Sequence, residues 1–418
     1  MHHLARFVLE RTKRASAGYS EVKDIVLGGS FAKGTWLPGH ADIDIFVRID
    51  TATSMSRFEE VGLSVGAKAM RGYPRGKKYA QHPYTEATVE GLKINIVPCY
   101  AVKEKQWKSA ADRSPFHIRL VRRLPEEQKT QVRLLKQFMQ AIGVYGAEIE
   151  TQGFSGYVAE VLVMRHETML GVLRYFAQFE RHSDERRFSL PDPVDSSRDL
   201  AVAVSGEKLG TMILASREFL RKPCNAYFVR MRGQARPSLR DVVVSVVFTH
   251  SRLSEDTLWG ELRKTMKHIL RHIEARGFRI ARAQAASNNS NSSAFLFIPE
   301  CADLPPLQQR GGPTVDLLKE TRSFISSNRT KAKLVWVDDE MKVRFLQERE
   351  YTSLVDLLED LARGRVEAIG GSREIARGMA RSAKVVSERR LMKLAKSEKW
   401  LMQGITEIVS DAIGTRDS

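Results

Sequence analysis

The chain has 418 residues, with 67 Lys and Arg against 50 Asp and Glu, a formal net charge of +17 and a sequence pI near 9.8. That length builds two or three domains with cores of their own, and 42% hydrophobic with 28% charged residues excludes a chain disordered throughout. The absence of any run of about 18 apolar residues excludes a membrane-spanning helix, and the basic surplus favours a polyanionic partner, nucleic acid above all.

The opening MHHLARFVLERTKR alternates apolar and basic positions at helical spacing and lacks the apolar core and cleavage site of a signal peptide, so a cytoplasmic location without a membrane partner is expected. VKDIVLGG (22–29) reads as a strand running into a glycine turn, and SFAKGTW has room for a helical turn or two. After a loop at Gly39-His40-Ala41, Asp42-Ile43-Asp44-Ile45-Phe46-Val47 alternates with period 2 as a second strand. A helix over 52–72 and a basic stretch, Arg75 to Tyr79, precede two short strands, Ala87-Thr88-Val89 and Leu92 to Val97, hinged at Glu90-Gly91.

Residues 122–180 read as helical with glycine-rich corners, and RRFSLPDPVDSSRDLAVAVS reads as a loop ahead of a helix opening at Ser205-Gly206. Beyond a basic crossover (221–240), DVVVSVVFTH, a helix over 256–276, FRIARAQAA and SSAFLFIPE form a β-α-β-β unit, with SNNSNS as the polar joint of the last two strands. The last 60 residues read as helical and basic. Cys99, Cys224 and Cys301 lie far apart and odd in number, against a disulfide framework and against a zinc module.

The segment Gly28-Gly29-Ser30-Phe31-Ala32-Lys33-Gly34-Thr35-Trp36 followed by Asp42-Ile43-Asp44 is the richest in chemistry. Glycines after a strand let the backbone approach an anion, Ser30 adds a hydroxyl donor and Lys33 a charge one turn later. Aspartates at i and i+2 of a strand share a face and can hold a divalent cation. Asp-x-Asp alone fits a half-buried strand with two solvated acids as well; the Gly-Ser turn ahead of it favours phosphoryl transfer.

These residues resemble the nucleotidyltransferase superfamily related to DNA polymerase β, and GSFAKGTWLPGHADIDIFV resembles the archaeal, class I CCA-adding enzymes. YAQHPY, INIVPCY, DRSPFH, VRLLKQF, GVYGAE, GFSGY, DPVD and the GP-x-V at Gly312 follow in that family's order, more thinly after residue 220. The resemblance implies an α+β fold: a polymerase β-like nucleotidyltransferase catalytic domain (1–120), a mostly helical central nucleotide-binding domain (121–220) and a C-terminal α/β tRNA-binding body with a basic helical tail (221–418). It implies template-independent addition of C, C and A to the tRNA 3′ end from CTP and ATP, with release of pyrophosphate and two Mg2+ ions.

Of the family's three catalytic and metal-binding carboxylates, two match Asp42 and Asp44, and the third position is Asn95. An amide offers one neutral oxygen where the family has a carboxylate, a poorer Mg2+ ligand and no base, so nucleotide transfer is expected to be impaired while binding persists. Gly29, Ser30 and Lys33 match the phosphate-binding turn, where Lys replaces the usual Arg and loses its bidentate fork. His117, Lys136 and Tyr145 match residues that hold the triphosphate, and Arg198 one that reads the base edge. The basic tail, including Arg363, Arg373, Arg389, Arg390, Lys393 and Lys396, is the expected contact for the acceptor stem and TΨC arm of tRNA. A poly(A)-type transferase and a non-catalytic tRNA-binding protein on the same scaffold are the alternatives, and a homodimer is an assembly open to the chain.

Overall fold

The computed structural model of the chain describes residues 2–38, 42–79, 81–179, 188–229 and 237–410. The loop expected at Gly39-His40-Ala41 lies outside them. The chain divides into two compact units, 1–231 and 232–418.

In the first unit, helix α1 (His2–Ser16) leads into β1 (Val22–Gly28), the short α2 (Gly29–Lys33) and β2 (Ile43–Ile49). Helix α3 (Met55–Ala69), N-capped by the Ser54 hydroxyl, precedes β3 (Arg75–Tyr79), β4 (Pro83–Val89) and β5 (Leu92–Tyr100). The strands form one mixed sheet in the order β1-β2-β5-β4-β3, antiparallel except for β2 beside β5. Period-2 burial sorts its faces: Ile43, Ile45, Val47, Ile94 and Ile96 pack under Val8 of α1 and Phe58, Val61 and Val65 of α3. Asp44, Asn95 and Glu86 therefore share the opposite face.

The basic stretch Arg75 to Tyr79 is a strand, although every residue in it is exposed. It carries no apolar face for a period to reveal, and its pairing with β4 makes it an edge strand blunted by lysines. Helices α4 (Ser114–Arg122), α5 (Glu126–Ala141), α6 (Gly156–His166), α7 (Met169–Ala177) and α8 (Gly206–Arg221) follow. The last four enclose a second core around Phe138, Phe154, Leu162, Leu173, Phe176 and Met212.

The second unit holds β6 (Val244–Thr249), α9 (Glu255–Ala275), β7 (Ile280–Ser287) and β8 (Ser292–Pro299), as the β-α-β-β reading expects. It continues through β9 (Leu307–Thr314), α10 (Leu318–Asn328), β10 (Ala332–Val337) and β11 (Lys342–Glu348), which form a separate three-stranded sheet. The chain then runs through α11 (Leu354–Asp360), α12 (Arg373–Ser382), β12 (Lys384–Ser387), α13 (Glu388–Ser397) and α14 (Lys399–Ile408). The tail is thus not wholly helical, because β12 pairs antiparallel with β6 and closes a sheet ordered β12-β6-β8-β7. Phe295 and Phe297 of β8 pack toward α9 and α12, while Ala294 and Leu296 pack toward α13 and α14. No helix among the described residues is long and apolar enough to cross a membrane.

Candidate active site

The turn between β1 and α2 is built for close approach. Gly29 takes φ +69°, and a Cβ added there would lie 2.3 Å from Asp44 Oδ2, so only glycine lets that carboxylate rest against the turn. Asp44 faces Gly28 across the antiparallel pair and Asn95 across the parallel one. The Asn95 Nδ2 donates to Asp44 Oδ1 at 2.9 Å, while Asn95 Oδ1 is buried without a hydrogen-bond partner. Glu86, unremarked in the sequence, is the next residue in the row, opposite Asn95 on β4.

Burial raises the Asp44 carboxyl, with Asp42 adding to the shift and Asn95 and Lys33 opposing it. Burial likewise raises Asp42, where Glu86 adds and Lys93 opposes. Two carboxylates and an orphaned amide oxygen form an all-oxygen donor set, which fits a hard cation of the Mg2+ type with one negative charge fewer than three carboxylates would bring. Among the described residues no three His, Cys, Asp or Glu side chains converge into a metal cluster.

Lys33 ends α2, and its Nζ donates to Glu160 Oε2 at 2.8 Å. Glu160, on α6, also accepts from Thr35 Oγ1 at 2.5 Å and from Lys136 Nζ of α5 at 3.0 Å. Lys136, only 1% exposed, uses its other two N–H groups on the Thr35 carbonyl and hydroxyl, both at 3.1 Å. Burial alone would raise the Glu160 carboxyl, but the two ammonium groups and the Thr35 hydroxyl hold it down at about 2. Arg133 Nη1 donates to the Gly34 carbonyl at 2.6 Å and pins the same turn from α5. Tyr145 and Lys136 both overhang Gly156, where an added Cβ would meet Tyr145 Oη at 2.9 Å and Lys136 Nζ at 3.5 Å.

His117 belongs to a neighbouring cluster. Its Nε2 shares a 2.9 Å hydrogen bond with Asp192 Oδ2, and its ring stacks on Tyr157 with centroids 3.9 Å apart. The Tyr157 hydroxyl donates to Asp192 Oδ1 at 3.1 Å, and Arg198 Nη1 lies 3.6 Å from Asp192 Oδ2. Burial lowers His117 below the ordinary imidazole range, with Asp192 opposing. The clusters join where Lys33 Nζ sits 4.9 Å above the Tyr157 ring. A carboxylate on α4's approach fixes its start: Asp112 accepts from the backbone N–H groups of Tyr100, Lys108 and Ser109.

The sequence-predicted residues Gly29, Ser30, Lys33, Asp44, Asn95, Lys136 and Tyr145 thus meet around one turn, and His117 and Arg198 meet on Asp192. Sequence reasoning gave no role to Glu160, Thr35, Asp192 or Tyr157, although the last three stand in the motifs GSFAKGTW, DPVD and GFSGY. Glu160 had a legible signal: it is the one acid in the apolar helical run YVAEVLVM, and such an acid is buried only when paired.

Models of three families match the chain in succession: "Nucleotidyltransferase domain" over residues 8–117, "tRNA nucleotidyltransferase, second domain" over 130–229 and "CCA-adding enzyme, C-terminal domain" over 240–388. Among curated proteins, the CCA-adding enzyme of Pyrobaculum islandicum is 34% identical over 82% of this chain and 84% of its own length. That of Methanothermobacter thermautotrophicus is 33% identical over 81% and 79%, and that of Halorubrum lacusprofundi 34% identical over 87% and 86%.

Proposed function

Since the chain belongs to the CCA-adding enzyme family, we propose that it adds C, C and A in turn to the 3′ end of tRNA from CTP and ATP with release of pyrophosphate, at a rate held down by Asn95. The observation that carries this reading is the Asp44 carboxylate, seated on Gly29 and hydrogen-bonded to Asn95 beside the Lys33 ammonium. We read residues 1–120 as the catalytic domain, 121–220 as the nucleotide-binding domain and 221–418 as the tRNA-binding body.

Ser30 and Lys33 take the triphosphate at the glycine turn with Tyr145, and Lys136, whose three N–H groups go to Glu160 and Thr35, supports that side from behind. His117 and Arg198, oriented by Asp192, meet the nucleotide's phosphate and base. Asp42 and Asp44, with Asn95 Oδ1, would hold Mg2+ ions that neutralise the triphosphate and acidify the attacking 3′-hydroxyl. Asn95 itself can take no proton from that hydroxyl, and its Nδ2 occupies an Asp44 oxygen. The tRNA backbone of the acceptor stem and TΨC arm lies on α13, where Arg389, Arg390, Lys393 and Lys396 are exposed and, among the described residues, make no ion pair.

Extension of tRNA ending before CCA, at CC and at full CCA, each with CTP or ATP, tests the reading. Two C additions, then one A, and none on the full end are expected. A run of A without C would point to a poly(A)-type transferase, and tight tRNA binding with no extension, also after Asn95→Asp, to a non-catalytic scaffold.

A further inference from the structure

Glu160 has no assigned part in nucleotide transfer, yet it is the hub of a buried charged cluster. It is almost wholly buried, on α6, and collects one ammonium from α2, one from α5 and the Thr35 hydroxyl from the turn between β1 and β2. The two lysines it meets are not equivalent. Lys136 gives all three N–H groups to Glu160 and Thr35 and has none to spare. Lys33 gives one to Glu160, keeps 11% of its side chain exposed, sits over the Tyr157 ring and, among the described residues, makes no other hydrogen bond.

We propose that Glu160 is a positioning residue for the incoming triphosphate, fixing Lys33 as a preformed cation at the glycine turn through a buried Lys136–Glu160–Lys33 bridge. The inference rests on the reading of Lys33 as a phosphate ligand. A flexible lysine loses rotamer freedom when it grips a phosphate, and a lysine already held by Glu160 has lost it beforehand. The carboxylate also sets one negative charge between two amino groups in a buried setting. Burial and the Lys33 charge both push the Lys136 ammonium down, and Glu160 opposes them. Other charged or titratable groups facing the cluster are Tyr145 and Tyr157, Arg133 and Lys129 of α5 on the Gly34 side, and Asp44, His117 and Asp192 beyond Lys33. None of these replaces the direct contact of Glu160 with both ammonium groups.

Replacing the carboxylate by an amide leaves the two side chains facing each other without a counter-charge, and Lys136, already pushed down by burial, loses its proton as pH rises and with it the bridge that holds Lys33. The test is CTP binding in the presence of Mg2+ and without tRNA, followed by calorimetry across pH. For Glu160→Gln relative to the unaltered protein, weakening of no more than about threefold near pH 6.5 and of about tenfold or more near pH 9 is expected, because burial pushes the Lys136 ammonium down and the amide no longer opposes it. A ratio that does not change with pH overturns the proposal. Glu160→Asp keeps the charge, so its ratio is expected to stay flat; a slope like that of Glu160→Gln also overturns it. If Glu160→Gln does not fold, the unaltered protein still decides, since its CTP affinity is expected to stay flat from about pH 7.5 to about 9.5, and a loss there contradicts a held charge. Lys33→Met separates the two layers: unchanged CTP affinity in that variant overturns the phosphate-ligand reading and this proposal together, whereas weakening in it alongside a pH-independent Glu160→Gln ratio overturns only the positioning role.

Discussion

The Asn95 amide donates to Asp44 Oδ1 at 2.9 Å from a directly paired position on the neighbouring parallel strand. The contact places a neutral donor where two carboxylates would repel and share a cation. It also leaves Asn95 Oδ1 buried and without a hydrogen-bond partner, an arrangement that costs about 1–3 kcal/mol unless something else meets that oxygen.

Gly29→Ala is expected to abolish nucleotide addition. The new methyl would meet Asp44 Oδ2 at 2.3 Å in a backbone conformation with φ +69°. Strain at such a position costs about 1–3 kcal/mol, so a lower melting temperature should accompany the loss. Full activity on the tRNA lacking CCA would show that Asp44 need not sit against the turn.

Stability in acid should carry the mark of Glu160. Its carboxyl is held at about 2 against an ordinary 4.5, so its contribution is complete above about pH 4.5 and disappears as pH falls through about 2. A shift of this size corresponds to about 3 kcal/mol. Urea unfolding at several pH values should show a steep loss between those limits in the unaltered protein and a shallower one in Glu160→Gln; parallel curves would contradict the pairing.

Asp192→Asn should loosen both groups it anchors, His117 at 2.9 Å and Arg198 at 3.6 Å. KM for CTP and for ATP should rise about tenfold, the scale of one charge-assisted hydrogen bond, with kcat less affected. Steady-state kinetics on both nucleotides measure this, and an unchanged KM would remove the DPVD segment from nucleotide binding.

How far the sequence foretold this site depends on where its residues sit. The alternation over residues 42–47 put Asp42 and Asp44 on one face before any coordinates, because period 2 leaves an extended chain no other choice, although β2 itself begins at Ile43. Of the Lys33–Glu160 pair, 127 residues apart, only the lone acid in an apolar run was legible, and nothing local named its partner. The edge strand at Arg75 and the strand at Lys384 went unread for a related reason: pairing with β4 and β6, not an apolar face of their own, makes them strands. The sheet of β9, β10 and β11 did have a signal, since Val343 and Phe345 alternate with partly exposed residues.

The basic tail is not one surface. Arg365, Arg373 and Arg377 pair with Asp360, Glu367 and Glu374 at 2.7, 2.9 and 3.0 Å, whereas Arg389 and Arg390 on α13 make no ion pair among the described residues. Charge reversal at Arg389 and Arg390 should weaken tRNA binding and lower the slope of log affinity against log salt by about 1 per lost phosphate contact. The same change at Arg373 and Arg377 should do less. Equal effects at the two places, in binding titrations at two salt concentrations, would mean that local pairing does not decide which arginines meet RNA.

The most direct test of the account is single-nucleotide addition to tRNA lacking CCA by this chain and by its Asn95→Asp variant, under the same Mg2+ and CTP. Restoring a carboxylate beside Asp44 should raise the rate about a hundredfold, the ordinary worth of a positioned base or metal ligand, while CTP affinity changes little. Equal rates would contradict the claim that Asn95 limits this enzyme.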